Sequence, residues 1–281
     1  MFLYNTYDIK YYKYCMEGYM DFNRFYYTEG EQPLDRLVDD GGFACIFRTI
    51  GIVGDSLSSG ELESRIEGAN GYHDFYDYSW GKFMGRMIGS TVHTFCRGGM
   101  TAKYFFTDFA STCGIYRPEN RCQAYIIALG VNDTARMETI GSAENAYLNR
   151  TPTDEDGIIH YYASIIRNLK THQPDAKFFL VTIPNCNYDG CRLVEKRALY
   201  NEELRKLAKT VKNTYVIDLE RYAPVFDQKF HDTFYLGHMR PTGYVVFARM
   251  IASYIDYLIR RYPDDFAEVG FIGTPYRFRE R

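Results

Sequence analysis

Four short stretches of this chain hold side chains that could cooperate in acyl chemistry. In "IGIVGDSLSSGE", Ile50 to Glu61, an apolar run ends at Gly54 and is followed at once by Asp55 and Ser56. Asp and Ser suit a turn or a helix N-cap. They also stand just past a strand's carboxyl end, where open α/β sheets place their chemistry. "CRGGMTA" brings Gly98 and Gly99 to the start of a helical pattern, where exposed backbone N–H groups suit a developing oxyanion. "GVNDTA" sets Asn132, a side-chain N–H donor, beyond another apolar run, with Asp133 an equally good helix cap. "YLGHMRPTGY" places His238 directly before the last helical pattern. A hydroxyl, an imidazole and two kinds of N–H donor are the complement that acyl transfer through a covalent intermediate requires.

Such groups meet only if the elements behind them converge. A first strand is expected at about Ala44 to Val53, Ser90 to Cys96 alternates and is β-branched, and compact apolar runs at Ala124 to Gly130, Lys177 to Ile183 and Thr214 to Leu219 suit parallel strands covered on both faces. Between them lie helical patterns. "GIIHYYASIIRNLKTH" puts Ile158, Tyr162, Ile165 and Leu169 on one stripe, and "RLVEKRALYNEELRKLAKTVKN" carries Glu and Lys on its outer face. Pro241 suits the first turn of the closing helix. The alternation predicts an α/β sandwich of three layers around a parallel sheet of about five strands. Residues 1–43, dense in tyrosine and without a clean period, form an N-terminal extension, and residues 44–281 form the domain. "SRIEGANGYHDFYDYSWG" reads as a loop whose aromatics could wall a pocket.

Composition excludes several classes of function. The formal charge of −3 over 281 residues offers nothing to nucleic acid or an anionic membrane. No apolar run approaches the roughly 20 residues needed to span a bilayer. The opening "MFLYNTYDIKYYKYC" lacks a signal-peptide pattern, which predicts a cytoplasmic location. Seven dispersed cysteines without a CxxC suggest neither a disulfide framework nor a zinc knuckle, and Cys186 and Cys191, the closest pair, have no neighbouring His in sequence. No metal or cofactor is expected. Nucleotide-binding loops and the GxSxG elbow are absent. The 27 Tyr and 20 Phe give a weak compositional pointer to sugars, since tyrosine combines a flat apolar face with a hydroxyl.

With the four stretches in this order, each beside an expected strand or helix, the chain resembles the SGNH, or GDSL-type, hydrolases from about residue 45 to 262. The resemblance implies a flavodoxin-like fold, Ser56 as nucleophile and His238 as base. It implies an oxyanion hole of the Ser56 and Gly99 backbone N–H groups, with Gly98 the fallback in register, and the Asn132 side chain. Asp55 would hold neighbouring loops. The chain departs from the pattern at one point. The family's orienting Asp lies three residues before the His, and here that position is Tyr235. Asp232, six residues before His238, is the nearest acid upstream, and Asp218 ends the fifth expected strand. Three readings stay open: Asp232 orients His238, a backbone carbonyl does, or the pair works as a slow dyad. Loss of the orienting acid costs about 10⁴ in a serine protease.

The expected activity is that of a serine esterase, on a small acyl group such as acetyl carried by a carbohydrate or similar alcohol. A lipase or thioesterase of the same fold, and a carbohydrate-binding module with a degenerate triad, are the alternatives. Tyr235, Arg240 and His73 are candidate substrate contacts. The expected partner is a small-molecule or carbohydrate ester, with neither nucleic acid nor membrane, and the N-terminal segment could mediate oligomer contacts.

Overall fold

Strand β1, Thr49–Gly54, is apolar at nearly every position because both of its faces are covered. The computed structural model describes residues 22–66, 69–136, 139–146, 150–153 and 155–278. After β1 a single helical turn, Ser56–Ser59, leads into an antiparallel hairpin of β2, Glu61–Ile66, and β3, Ala69–Asp74. The segment expected to be a loop is therefore largely a hairpin. Its residues are mostly polar and charged, so no apolar alternation marked it.

Helix α1, Trp80–Ile88, returns the chain to β4, Thr91–Cys96. β5 is Ala124–Ala128. Helix α2, Ile158–His172, precedes β6, Lys177–Val181, and helix α3, Val194–Thr210, precedes β7, Thr214–Ile217. Helix α4, Pro241–Arg261, follows the segment that carries His238. The central sheet runs β4-β1-β5-β6-β7, all parallel, with the flavodoxin-like order and helices on both faces.

Alternation along the strands divides the core. Val53, Tyr125, Ile127, Phe178 and Leu180 pack in one cluster with Tyr162 of α2 and Tyr200 and Leu204 of α3. On the other face Ile52 meets α1 closely enough that only glycine fits at Gly81. The order reverses at β1, whose neighbours on either side are β4 and β5, and such a reversal opens a crevice at the carboxyl edge.

Two boundaries differ from expectation. The chain divides into units Met1–Glu31 and Gln32–Arg281, not at residue 43. In the described part of the first, Phe22–Phe25 forms a 3-10 turn. Residues just before 44 belong to the second unit because α4 binds them. The Val38 N–H donates to Ser253 Oγ at 2.9 Å, and the Phe43 N–H to Asp256 Oδ1 at 2.8 Å. Gly42–Ile46 is consequently a 3-10 turn, and the first strand starts at Thr49 instead of Ala44. Cys186 and Cys191 are joined as a disulfide, which the cysteine count had not suggested. Among the described residues no helix is long and apolar enough to cross a membrane, and no group of His, Cys, Asp and Glu could hold a metal ion.

Candidate active site

Pairing in the sheet aligns the ends from which the site grows. Gly54 at the end of β1 stands opposite Cys96 of β4 and Ala128 of β5. The three following segments therefore leave the sheet side by side. Asp55 caps the turn after β1, its Oδ1 accepting from the Leu57 N–H at 3.0 Å. That turn presents Ser56.

Ser56 Oγ lies 3.0 Å from His238 Nε2. His238 stands in a tight antiparallel return, with Tyr235–Leu236 pairing His238–Met239 across Gly237. Its other nitrogen, Nδ1, lies 2.8 Å from Glu63 Oε1. The carboxylate beside the imidazole thus comes from β2, and not from the segment before the His. Gly237 has φ +73°, and a Cβ there would sit about 2 Å from the Glu63 carboxyl atoms. Glycine is thus required both by the backbone and by the space Glu63 occupies.

Asp232 is elsewhere. It lies on the short helix Gln228–Phe234, is largely exposed, and accepts from Gln228 Nε2 at 2.7 Å. Asp218 is buried and takes two hydrogen bonds from Arg205, at 2.7 and 2.8 Å. The expectation that Asp232 or a backbone carbonyl stands at His238 is corrected: the group beside Nδ1 is the Glu63 carboxylate. A pairing over 175 residues leaves no local spacing to read. The available signal was the alternating pair Glu61 and Glu63, since residues two apart on a strand share a face.

Glu61 uses that shared face as well, its Oε1 3.0 Å from His238 Nε2. Its other oxygen fills the space that a side chain at Gly98 would take. Burial holds the Glu61 carboxyl above its ordinary range; His238 opposes this, while Asp74 and Glu63 add to it. The two contacts at Nε2 require different states. A neutral imidazole with its proton on Nδ1 can accept from Ser56 there, but cannot also donate to Glu61. The Ser56 contact is thus complete when Glu61 is protonated or turned aside.

The donor loops are fixed by buried polar groups. Asp133 Oδ1 accepts from the Ala102 N–H at 2.7 Å and Oδ2 from the Gly130 N–H at 3.1 Å, tying the loop after β4 to the loop after β5. Burial pushes the Asp133 carboxyl up to about 6 despite these bonds. Tyr162 and Tyr200 both donate to the Leu129 carbonyl, at 3.0 and 3.1 Å. Each such bond contributes about 1 kcal/mol. Asn132 Nδ2 donates to the Met100 carbonyl at 3.2 Å and approaches Asp55 Oδ2 at 3.5 Å. Asp55 is buried, which raises its carboxyl to about 7 against the opposing Leu57 N–H. Of the two glycines, Gly98 directs its N–H toward Asp74 Oδ2 at 3.5 Å, whereas Gly99, with φ +70°, has no such carboxylate on its N–H among the described residues. Neither glycine lines the cavity described next, whereas Ser56 and Asn132 do.

That cavity, of about 280 Å³, opens at Ser56 and His238 and extends past Trp80, Ile183, Tyr188, Phe226 and Tyr235. Of the expected substrate contacts, only Tyr235 lines it. Arg240 is exposed and donates from Nε to the Tyr235 carbonyl, and the His73 Nε2 pairs with Ser64 Oγ at 2.8 Å on the surface hairpin. The lining cation is instead Arg197 of α3. Sequence reading had given that helix an ordinary charged outer face. At the rim Tyr72 is exposed and lies edge-on to the His238 ring, centroids 5.9 Å apart.

A model of the GDSL-like lipase/acylhydrolase family matches residues 52–246, a span that contains Ser56, Glu63, Asn132 and His238. The chain belongs to the GDSL-like lipase/acylhydrolase family. Solved structures share this GDSL-like fold at low identity. A family-two carbohydrate esterase from Clostridium thermocellum, solved as an active-site mutant, is 13% identical with a TM-score of 0.52, over 77% of this chain and 64% of that one. A carbohydrate esterase family 2 enzyme from Corynascus thermopiles (Myceliophthora fergusii), which also carries a carbohydrate-binding domain, is 16% identical with a TM-score of 0.51, over 79% and 67%. A protein from Chitinophaga pinensis described as a possible lipase is 11% identical with a TM-score of 0.50, over 76% and 98%. Comparison with curated protein sequences gives no match.

Proposed function

We propose that this GDSL-like protein is a serine esterase working through a Ser56–His238–Glu63 triad. The observation that carries the reading is the continuous chain of contacts from Ser56 Oγ to His238 Nε2 at 3.0 Å and from His238 Nδ1 to Glu63 Oε1 at 2.8 Å. Ser56 Oγ attacks the ester carbonyl carbon and its proton passes to His238 Nε2. Glu63 holds the Nδ1 proton and stabilises the imidazolium that forms. The Ser56 and Gly99 backbone N–H groups and the Asn132 amide are the proposed oxyanion donors. The imidazolium returns its proton to the leaving alcohol, giving an acyl-Ser56. Water, deprotonated by the same imidazole, then releases the carboxylic acid and restores the serine.

The proposed substrate is a small acyl ester, such as acetyl, on a carbohydrate or similar alcohol. A cavity of about 280 Å³ suits a short acyl group. Tyr72 offers a flat exposed face beside His238 for a sugar ring. The carbohydrate esterases among the structural neighbours agree with this substrate class. The argument for a non-catalytic module rested on Tyr235 at the usual acid position, and a carboxylate at His238 Nδ1 removes its basis.

A fluorophosphonate probe with peptide mapping tests the triad. Rapid labelling of Ser56, abolished in Ser56→Ala and greatly slowed in His238→Ala, supports it. A wild-type protein that stays unlabelled and turns over no acetyl ester overturns it.

A further inference from the structure

Arg197 stands in the wall of the cavity that Ser56 and His238 also line. It lies in the first turns of α3, and its neighbours in the wall are Cys186, Tyr188 and Tyr235. No carboxylate lies within ion-pair distance of its guanidinium among the described residues, whereas Arg205, further along the same helix, is paired with both Asp218 and Glu220. The Nη1 group reaches only the Cys186 sulfur, at 3.4 Å, and sulfur is a weak acceptor. Its Nε is buried and has no hydrogen-bond partner among the described residues. A buried donor without a partner is costly, and a charged one more so. Such a group is retained most readily where a ligand completes it.

The other charges of the site fix which end of a ligand could do so. Glu61 and Glu63 both contact His238, so an anionic group is repelled from the catalytic end. Among the described residues, Arg197 is the only permanent cation lining the cavity. Burial pushes the Tyr235 phenol well above its ordinary range, so it remains a hydroxyl donor beside the guanidinium. A planar guanidinium with a phenol alongside matches a carboxylate, which can accept from both.

We propose that Arg197 is a specificity-determining residue, and that the preferred substrate is an ester bearing a carboxylate. This inference rests on the esterase reading above and names the substrate class for that same site. The carboxylate can belong to the alcohol half, as in an acetylated uronic acid, or to the acyl half, as in a hemisuccinate. In either case it seats at the Arg197 wall while the ester carbonyl lies at Ser56.

The test compares kcat/KM for acetylated glucuronic acid against acetylated glucose, and for p-nitrophenyl hemisuccinate against p-nitrophenyl acetate. The wild type should favour the charged member of one pair by at least tenfold, and the favoured pair identifies which half carries the carboxylate. In Arg197→Gln that ratio should fall toward one, chiefly through KM, and in Arg197→Lys part of it should return. A wild-type ratio near one for both pairs, or a ratio that Arg197→Gln leaves unchanged, overturns the proposal while leaving the esterase intact. Binding of glucuronic acid and of glucose to Ser56→Ala reads the same discrimination without turnover. If neutral esters are not hydrolysed at all, the esterase reading fails, and binding to Ser56→Ala still decides the role of Arg197: tighter binding of glucuronic acid than glucose, or of succinate than acetate, that is lost on adding Arg197→Gln supports it, and equal binding within both pairs overturns it.

Discussion

Glu63 reaches His238 from a hairpin near the start of the domain, its Oε1 2.8 Å from Nδ1, across 175 residues of sequence. The carboxylate proposed to orient His238 is therefore held by β2 pairing with β3, and Tyr235, where the resemblance led us to expect an Asp, lines the cavity wall.

Exchange of the two candidate acids separates them. Glu63→Gln should lower kcat for a neutral acetyl ester by about 10²- to 10⁴-fold, because the amide favours the wrong imidazole tautomer. Asp232→Asn should change it less than about twofold, since its carboxylate meets Gln228 and solvent. Steady-state kinetics of both variants decide the matter, and an equal loss in the two would return Asp232 to the triad.

Glu61 shares Nε2 with Ser56, so its charge competes with the step that Glu63 supports. Glu61→Gln removes that charge and keeps the shape. The variant should retain kcat within about tenfold of wild type, far above Glu63→Gln, because the proton on Nδ1 is still held. A loss as deep as that of Glu63→Gln would mean that Glu61 is the functional acid.

Asp55 makes stability depend on pH. Burial raises its folded carboxyl to about 7, while an unfolded Asp titrates near 3.9. Between those values the folded protein binds a proton that the unfolded chain has released. The contribution is full below about pH 4 and is lost as pH rises to about 7. Asp55→Asn cannot ionise. Its stability relative to wild type should improve by about 2–3 kcal/mol between pH 5 and pH 8, as read by urea unfolding at both. A difference that does not change with pH would show that Asp55 titrates normally.

Arg205 holds two acids, Asp218 and Glu220, under the sheet's carboxyl edge and away from the cavity. Arg205→Met should cost about 3–5 kcal/mol, because buried Asp218 keeps only the exposed Arg221, 3.7 Å away, as a cation. Activity per folded molecule should hold. A coupled loss of activity at low temperature would make Asp218 part of the site after all.

The legible part of the molecule was local. Ile50 to Val53, Ala124 to Ala128 and Phe178 to Val181 are apolar in unbroken runs because helices cover both faces of a parallel strand, and that pattern is visible in any short window. Ser56 and Asn132 follow the ends of such strands, where an abrupt change from apolar to polar residues marks them, and His238 stands just before the last helix. The charged hairpin had no such mark: Glu61 and Glu63 sit on a polar strand whose pairing, not its hydrophobicity, gives it form.

From sequence alone came the parallel sandwich and the serine, asparagine and histidine at its edge, since each follows from residue type and nearest neighbours along the chain. Tertiary structure alone decided that Glu63 faces His238, that Asp232 faces solvent and that Arg197 enters the cavity. Each of these depends on which distant backbones lie side by side. A carboxylate or guanidinium acquires its chemistry from the partner and the burial that folding gives it, and neither is written in the residues next to it.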